Sequence, residues 1–477
     1  MALGSKRNGG GQGEIWVAAA DVAVAPGHPF YLRLNRILEH GGFDAWVEAR
    51  CARFYAPVMG RPGLAPGIYF RMLLIGFFEG LDSERGIAWR VADSRTLGAF
   101  LGVRLDQATP DHSTLSKTRQ RIDVETHQAV FDWILVLLAR EGLLKGKTIG
   151  VDATTLEANA AMRSIVRRDT GESYREYLKG LARQSGIETP TTEDLARIDK
   201  SRKNKASNDD WQHPHDPDAR IAKMKDGTTH LAHKAEHAVD LETGALTAVT
   251  LNAADEGDTA TLPQTLDQVE INLDEAAVDE AAQRQLAAPS QRARDVVADK
   301  GYHSAAVLEA LEQDERKSYL SEPDRGRRKW RGRDEEQNRT YDNRRRVSGG
   351  RGKRLLRRRA ELAERSFAHM YETGGMRRLY LRGRENILKR LLIQGGGFNL
   401  ALLLRKILGA GKPRAWAALG AAVRSICAHA ARRFARWTRG FGRKAVGTDF
   451  GGVLLAALST RLHTWLKDRK LTLSTGC

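Results

Sequence analysis

Cysteine is scarce in this chain of 477 residues, which has only Cys51, Cys427 and Cys477. These three are far apart and form no CxxC pair, which argues against both a disulfide framework and a zinc ribbon. Long hydrophobic runs are lacking too, since none reaches the roughly 18 residues that a membrane-spanning helix needs. The start, Met1–Gln12, has no apolar signal core. These absences predict a protein of the reducing cytoplasm without a membrane partner.

Charge, by contrast, is abundant and unevenly distributed. Residues 1–324 carry 39 Lys/Arg and 49 Asp/Glu, whereas residues 325–477 carry 38 and 10. The most basic run, Arg325–Arg359, holds sixteen bases and four acids. Such asymmetry is typical of a protein that binds a polyanion, most simply DNA. For the run alone, a solvated linker is the alternative.

Changes of pattern divide the chain into four parts. A flexible, Gly-rich N-terminus at 1–28 is followed by a helical region at 29–145. The third part is an α/β region at 146–408, with a polar insertion at 157–227 and a basic insertion at 325–359. The fourth is a basic tail at 409–477, in which residues 415–443 predict an amphipathic helix. The short, capped helices of the second part predict either a helix-turn-helix-like DNA-binding domain or a plain helical bundle.

The third part alternates strands and helices. Thr148–Asp152 and Arg294–Asp299 are short apolar strands that each end on an aspartate, and Thr229–Val239 with Ala245–Leu251 predicts a β-hairpin. A strand at Ser318–Ser321 and a helix over 354–370 follow, the helix with an apolar stripe. The order predicts an α/β fold with a mixed five-stranded sheet and flanking helices.

The two strand-end aspartates could do chemistry. If their strands are parallel neighbours, Asp152 and Asp299 lie at the same carboxyl edge, where α/β sheets place their sites. A third carboxylate from the late helix would complete an oxygen cage for Mg²⁺ or Mn²⁺. Two such ions, about 3.5–4 Å apart, suit phosphodiester cleavage. The alternative for each aspartate is a turn or a helix cap.

Three segments resemble the signature regions of DDE-type bacterial insertion-sequence transposases. They are Gly150-Val-Asp152-Ala-Thr, Val296-Val-Ala-Asp299-Lys-Gly-Tyr-His-Ser304 and Glu364-Arg-Ser-Phe367. The helical segment from Gly60 to Leu115 is similar to the N-terminal domain of one large branch, so the resemblance covers roughly residues 55–405. It implies a ribonuclease-H-like catalytic domain that cuts and joins DNA with two Mg²⁺ or Mn²⁺ ions. It also implies that Asp152, Asp299 and Glu364 are the metal-binding triad.

The third member of the triad has an alternative. Many relatives have an Arg four residues before the Glu and a Lys seven after it, but Ala360 and Tyr371 stand at those positions around Glu364. Glu361 has Arg357 four residues before it and Ala368 where the Lys would be. We expect Glu364, because Glu-Arg-x-Phe matches the branch motif and because its place beside the apolar stripe should turn it toward the sheet.

The resemblance implies further partners. We expect a homodimer that synapses the terminal inverted repeats of its element and joins them to target DNA. The residues expected to contact DNA are basic: Lys117, Arg119, Arg121, Lys300, Arg327, Arg328, Lys329, Arg357, Arg358 and Arg359. An inactive DNA-binding regulator and a nuclease without strand transfer remain the alternatives.

Other polar residues have simpler interpretations. Asp258 suits a helix cap better than a catalytic role. His233 and His237 lie in an alternating strand without an HExxH pattern, so we expect no zinc there. His213 and His215 are expected at the surface.

Overall fold

The computed structural model describes residues 27–413 of the chain, apart from 57–59, 61–62, 105, 203–206, 225–226, 325 and 327. The described residues therefore leave out Arg327 and nearly all of the predicted flexible N-terminus. They also leave out nearly all of the basic tail, with its predicted amphipathic helix.

Helices make up the first part of the described chain, as the sequence predicted. They are α1 (Pro29–His40), α2 (Phe43–Cys51), α3 (Pro66–Glu79), α4 (Glu84–Ala92), α5 (Arg95–Phe100), α6 (His112–Arg121) and α7 (Val124–Arg140). The side chains of Ser83, Ser94, Asp111 and Asp123 accept a free backbone N–H at the starts of α4 to α7. Such caps fix where these short helices begin.

Strands and helices alternate in the second part. The strands are β1 (Thr148–Glu157), β2 (Val166–Arg167), β3 (Trp211–Gln212), β4 (Arg220–Lys223), β5 (Thr229–Asp240), β6 (Leu246–Ala253), β7 (Asp295–Ala298) and β8 (Lys317–Leu320). The helices are α8 (Tyr174–Gln184), α9 (Thr192–Ser201), α10 (Asp258–Ala277), α11 (Glu280–Gln283), α12 (Ala305–Gln313), α13 (Asp334–Ser348), α14 (Gly350–Phe367) and α15 (Arg384–Leu408).

The main sheet is mixed, and β1 lies at its centre. Strand β1 pairs antiparallel with β5 and parallel with β7. Strand β6 continues the sheet beyond β5, and β8 continues it in parallel beyond β7. The predicted α/β class, the hairpin β5–β6 and the mixed sheet are confirmed.

Two details of the predicted sheet are wrong. Strand β1 does not end at Asp152 but continues to Glu157, because β5 pairs with it along this length. The sheet also has a sixth strand among the described residues, since β4 pairs with the first residues of β5. The expected polar insertion at 157–227 thus returns to the main sheet at its end, and before that it holds α8, α9 and a small apolar cluster around Trp211.

Helices α10 and α14 cover opposite faces of the sheet. Successive strand residues point to opposite faces, and Glu236 of β5 bonds to α10 while His237 bonds to Ser366 of α14. The predicted apolar stripe of α14 is buried at Ala363 and Phe367.

Helix α15 packs against α3, α7 and β6. A Cβ on Gly395 would lie 3.1 Å from both Phe131 of α7 and Leu246 of β6, and a Cβ on Gly397 would lie 2.6 Å from Phe77 of α3. Glycine therefore lets these elements approach closely. One apolar core extends from the helical region into the sheet region.

The same helix qualifies as a membrane span by length and composition alone, but 89% of its most apolar 18-residue window is buried inside the fold. Core helices of soluble folds have this profile, so the window gives only weak evidence for a membrane.

Candidate active site

Asp152 and Asp299 follow the segments over which two neighbouring parallel strands, β1 and β7, are paired. Strands β1 and β7 pair in register from Thr148↔Asp295 to Gly150↔Val297. The predicted parallel pairing of these strands is confirmed. Two residues further along, the same register would set Asp152 opposite Asp299, and the meeting of their carboxylates stays a prediction. Carboxylates at such an edge stand where α/β folds bind ligands.

The Asp299 side chain shapes the loop that follows β7. It accepts a hydrogen bond of 2.8 Å from the backbone N–H of Gly301 and so caps the 3-10 turn Lys300–Tyr302. A Cβ on Gly301 would lie 3.1 Å from Asp299 Oδ1 and only 2.3 Å from Asp258 Oδ2. Glycine at this position thus allows two carboxylates, Asp258 and Asp299, to approach from either side.

A buried polar network supports Asp258 on the α10 face of the sheet. Lys234 Nζ, almost fully buried, donates to Asp258 Oδ1 at 2.8 Å and to the Glu256 carbonyl at 2.9 Å. The attraction of this ammonium offsets part of the repulsion between neighbouring carboxylates.

Glu236, two residues along β5, extends the network. Its carboxylate accepts hydrogen bonds from the hydroxyls of Tyr302 (2.6 Å), Thr261 (3.0 Å) and Thr265. Burial raises the pKa of Glu236, and burial with the Glu236 charge raises the pKa of Tyr302 well above its usual value. These contacts hold the loop after Asp299 against the sheet. Sequence reasoning missed Lys234 and Glu236, although charged residues inside an alternating apolar strand were a signal.

On the other face, Asp152 meets two groups from outside its own strand. Its Oδ2 lies 2.9 Å from Arg359 Nη1 of α14. The residue opposite it in β5 is His237, so the two side chains share a face. Asp152 therefore lies beneath α14.

His237 joins β5 to α14. The Ser366 hydroxyl donates to the Ala363 carbonyl, so it accepts from Nδ1 of His237 at 2.8 Å. The other nitrogen, Nε2, accepts from the Tyr371 hydroxyl at 2.6 Å. Burial lowers the pKa of His237 to about 3, so the imidazole is neutral. This histidine positions the helix over Asp152.

Glu364 lies on the segment of α14 that crosses Asp152, five residues after Arg359 and two before Ser366. Its side chain is exposed, so the expectation that it faces the sheet is wrong. The stripe that packs on the sheet consists of Ala363, Ser366 and Phe367, and Glu364 lies outside it. Glu361 is also exposed, and it pairs with Arg365 at 2.6 Å.

The donor set suits a hard divalent cation in part. Asp152 and Asp299 offer carboxylate oxygens at one edge, the donors that Mg²⁺ and Mn²⁺ prefer. Within the described ranges, no three His, Cys, Asp or Glu side chains stand close enough together to hold a metal ion. Asp152 and Asp299 thus follow the paired segments of neighbouring strands, while the predicted third ligand, Glu364, is exposed on α14.

The expected DNA contacts of α6 are divided between surface and core. Lys117 and Arg121 are exposed. Arg119 is buried, with Nη1 2.5 Å from Glu84 Oε1 and Nε donating to Asn386 Oδ1 at 3.2 Å. The prediction that Arg119 contacts DNA is wrong, because its guanidinium joins α4 and α15 to α6.

Most of the described residues of the basic run 325–359 are helical, so this part of the run is not a solvated linker. It contains α13 and half of α14, and many of its arginines bind groups of the protein. Arg328 lies 3.2 Å from Glu322, Arg358 donates to the Leu241 carbonyl at 3.1 Å, and Arg359 pairs with Asp152. Among the other predicted DNA contacts, Lys300, Lys329 and Arg357 are exposed.

Three other histidines considered in the sequence, His213, His215 and His233, lie in the polar insertion or in β5. His213 is buried, so its predicted surface position is wrong, whereas His215 is exposed. His233 Nε2 lies 3.3 Å from Asp216 Oδ2 in the core.

A mixed sheet with flanking helices and a preceding helical region, with one aspartate within β1 and another directly after β7, is the architecture of a ribonuclease-H-like catalytic domain. Comparison with known families narrows this class. Residues 20–121 match a family model described as a transposase domain (DUF772), and residues 206–399 match one described as a transposase DDE domain. The chain belongs to the DDE-type transposases of insertion sequences. No curated protein and no solved structure matches it.

The two matches include most of the candidate residues. The second contains Asp299 and Glu364 but begins after Asp152. Asp152 joins the site through the pairing of β1 with β7.

Proposed function

We propose that this transposase cuts DNA at the ends of its insertion sequence and joins the freed 3′ ends to target DNA. The observation that supports the proposal is the parallel register of β1 and β7, which, continued by two residues, would set Asp152 opposite Asp299. Phosphodiester chemistry needs charge neutralisation around the reacting phosphate. A pair of carboxylates is suited to bind the divalent cations that supply it.

Asp152 and Asp299 would hold Mg²⁺ or Mn²⁺, with Glu364 of α14 as the third ligand. Divalent cations bound there supply charge neutralisation at the phosphate and activation of a water or a 3′-hydroxyl. The chain contributes the rest. Lys234 binds Asp258 and Glu236 binds Tyr302, and these contacts hold the loop after Asp299 against the sheet. His237 fixes α14 above Asp152.

DNA binding divides between two surfaces in this proposal. The exposed Lys117 and Arg121 of α6 contact the element ends, and the exposed bases of α14 contact phosphates without distinguishing sequence. Two ends must be brought together, so the active form would be a homodimer.

The second candidate is a DNA-binding regulator without activity. Its support is the exposed Glu364, whose carboxylate does not join the two aspartates into a group of three. A nicking assay distinguishes the candidates.

The test is nicking of plasmid DNA that carries an element end, in Mg²⁺. Asp152→Asn and Asp299→Asn should each lower cleavage at least about a hundredfold, because a lost ligand removes several kcal/mol of transition-state stabilisation, and should leave end binding nearly intact. Asp267→Asn changes an exposed carboxylate of α10 and is the matched control. Wild-type cleavage by either site variant would refute the assignment.

A further inference from the structure

Arg359 occupies a space that the sheet leaves for it. A Cβ on Gly150 would lie 2.9 Å from Arg359 Cγ and 2.6 Å from Leu241 Cδ2. Because Gly150 has no side chain, the stem of Arg359 can lie on β1 and bring its guanidinium to Asp152. Only 12% of the Arg359 side chain is exposed.

The contact between Arg359 and Asp152 is an ion pair by distance but not a hydrogen bond by angle. Nη1 lies 2.9 Å from Asp152 Oδ2, yet neither Nη1 nor Nε has a hydrogen-bond partner among the described residues. A buried charge is costly unless it is both paired and hydrogen-bonded. The guanidinium is therefore only partly satisfied by Asp152, the carboxylate that it meets in the described part of the chain.

We propose that Arg359 is an exchangeable counter-ion of Asp152, which gives up the carboxylate to a divalent cation and then binds a DNA phosphate. The inference rests on the proposed function, since it requires that Asp152 be a metal ligand. It goes beyond that function because it couples metal binding to DNA binding through one named side chain.

The physical basis is competition for one carboxylate. In the free protein, a cation that binds Asp152 must displace the Arg359 charge and leave it buried without a counter-ion, so metal binding is weak. A DNA phosphate at the edge removes this penalty, since a guanidinium can donate two parallel hydrogen bonds to phosphate oxygens. Metal and DNA thus bind cooperatively, and by linkage each raises the affinity for the other by the same factor.

The experiment measures Mn²⁺ affinity of the full chain by the electron paramagnetic resonance signal of free Mn²⁺. Titrations are made with and without a short duplex of arbitrary sequence, and Mn²⁺ bound by the duplex alone is subtracted. The variants are Arg359→Gln, Arg359→Lys and Asp152→Asn. Arg183→Gln, which changes an exposed arginine of α8 that has no part in the proposed site, is the matched control.

In the wild type and in Arg183→Gln, the duplex should raise Mn²⁺ affinity by roughly 5- to 150-fold, the range typical of coupled sites. Arg359→Gln should bind Mn²⁺ more tightly than the wild type without DNA, and the duplex should add little. Arg359→Lys keeps the competing positive charge but loses the planar guanidinium, so it should still bind Mn²⁺ weakly without DNA. This variant keeps the inference testable if Arg359→Gln folds poorly.

Two results would overturn the inference. The first affects only the exchange, and the second also affects the proposed metal site. If Asp152→Asn loses Mn²⁺ but Arg359→Gln binds it no more tightly than the wild type without DNA, the exchange is refuted and the proposed metal site stands. If Asp152→Asn binds Mn²⁺ as the wild type does, the metal site of the proposed function fails as well.

Discussion

At the scale of single residues, the surroundings of two glutamates on α14 bear on the choice of the third carboxylate. Glu361 is held by two arginines, since Arg365 lies 2.6 Å and Arg358 3.9 Å from its carboxylate. Glu364 follows the buried Ala363 and Glu361 precedes the buried Leu362, so both glutamates flank the buried face of α14. We favour Glu364, because its side chain can move toward Asp152 without breaking the ion pairs that hold Glu361.

Substitution of the two glutamates tests this assignment. Glu364→Gln should lower DNA cleavage about a hundredfold or more, because an amide is a poor ligand for a hard cation. Glu361→Gln should retain wild-type cleavage. Both rates are measured on the same end-containing plasmid, and the reverse pattern would move the third ligand to Glu361.

Some site residues could be predicted from the sequence, and others could not. Asp152 and Asp299 each end a short apolar run in the sequence, so a local pattern was sufficient to select them, although β1 continues past Asp152 to Glu157. Lys234 and Glu236 depend on α10, which begins more than 20 residues later and covers that face of β5. A charged residue within a strand normally marks a solvent face, and only the tertiary contact makes it part of the site.

At the scale of elements, buried neutral histidines join neighbouring segments. His127 of α7 hydrogen-bonds to the Tyr69 hydroxyl of α3 at 2.9 Å and to the Asp123 carbonyl at 2.7 Å. His237 joins β5 to α14 in the same way. Burial lowers the pKa of each histidine to about 3.

Stability should therefore fall as the pH falls below about 6.5, the ordinary histidine pKa. Below that pH the unfolded chain binds a proton at each histidine, while the folded chain excludes it down to a pH of about 3. The loss amounts to about 1.4 kcal/mol per pH unit for each histidine.

Urea unfolding at a series of pH values measures this effect. In His127→Gln, the free energy of unfolding should depend less steeply on pH than in the wild type. The difference should equal the contribution of one histidine, about 1.4 kcal/mol per pH unit. His215→Gln, at an exposed position, should keep the wild-type dependence. An unchanged slope in His127→Gln would mean that this histidine is protonated in the fold.

The basic face of α14 is the element best placed to follow DNA phosphates. Lys353, Arg354 and Arg357 lie on adjacent turns and are all exposed. Arg339 of α13, by contrast, is surrounded by Glu309, Glu312 and Glu335. Only the former group has its charge available to an incoming polyanion.

Replacing Lys353, Arg354 and Arg357 by Ala should weaken binding to end-containing and scrambled duplexes alike. If each makes one phosphate contact, the log–log dependence of affinity on salt should flatten by roughly 2 to 3 units. Arg339→Ala should leave the slope unchanged. A loss confined to the end sequence would instead mean that these residues distinguish bases.

Helix α13 shows why the sequence did not predict every element. Its residues are almost all polar, so no apolar stripe indicates a helix. The structure fixes it through Asn343, whose side chain bonds to the backbone N–H and carbonyl of Leu320 in β8, and through Arg346, which donates to the Ser318 carbonyl. These contacts replace an apolar face and cannot be predicted from local periodicity.

At the scale of the whole molecule, α15 unites the helical region with the sheet. Its glycines at 395–397 lack the following Lys-Ser/Thr of a phosphate-binding loop, and their role in the fold is close packing. Because one apolar core includes both regions, we expect them to unfold together.

Gly397→Leu tests this expectation. The larger side chain meets Phe77 of α3, where a Cβ alone would lie 2.6 Å from the ring, so the free energy of unfolding should fall by about 1–3 kcal/mol or more. Tryptophan fluorescence and far-ultraviolet circular dichroism should give coincident urea transitions in both proteins. Gly180→Ala is the control, since a Cβ there meets nothing within 4 Å. Two separate transitions in the wild type would show that the regions are independent.

The central claim is that Asp152 and Asp299 serve one site that both cuts and joins DNA. The most direct measurement is strand transfer of a pre-cut element end, with a free 3′-hydroxyl, into a target plasmid in Mg²⁺. The wild type should produce joined products, and Asp152→Asn and Asp299→Asn should produce none while still binding the end. Wild-type protein that nicks the uncut end but never joins the pre-cut one would be a nuclease, and joining by either aspartate variant would contradict the site itself.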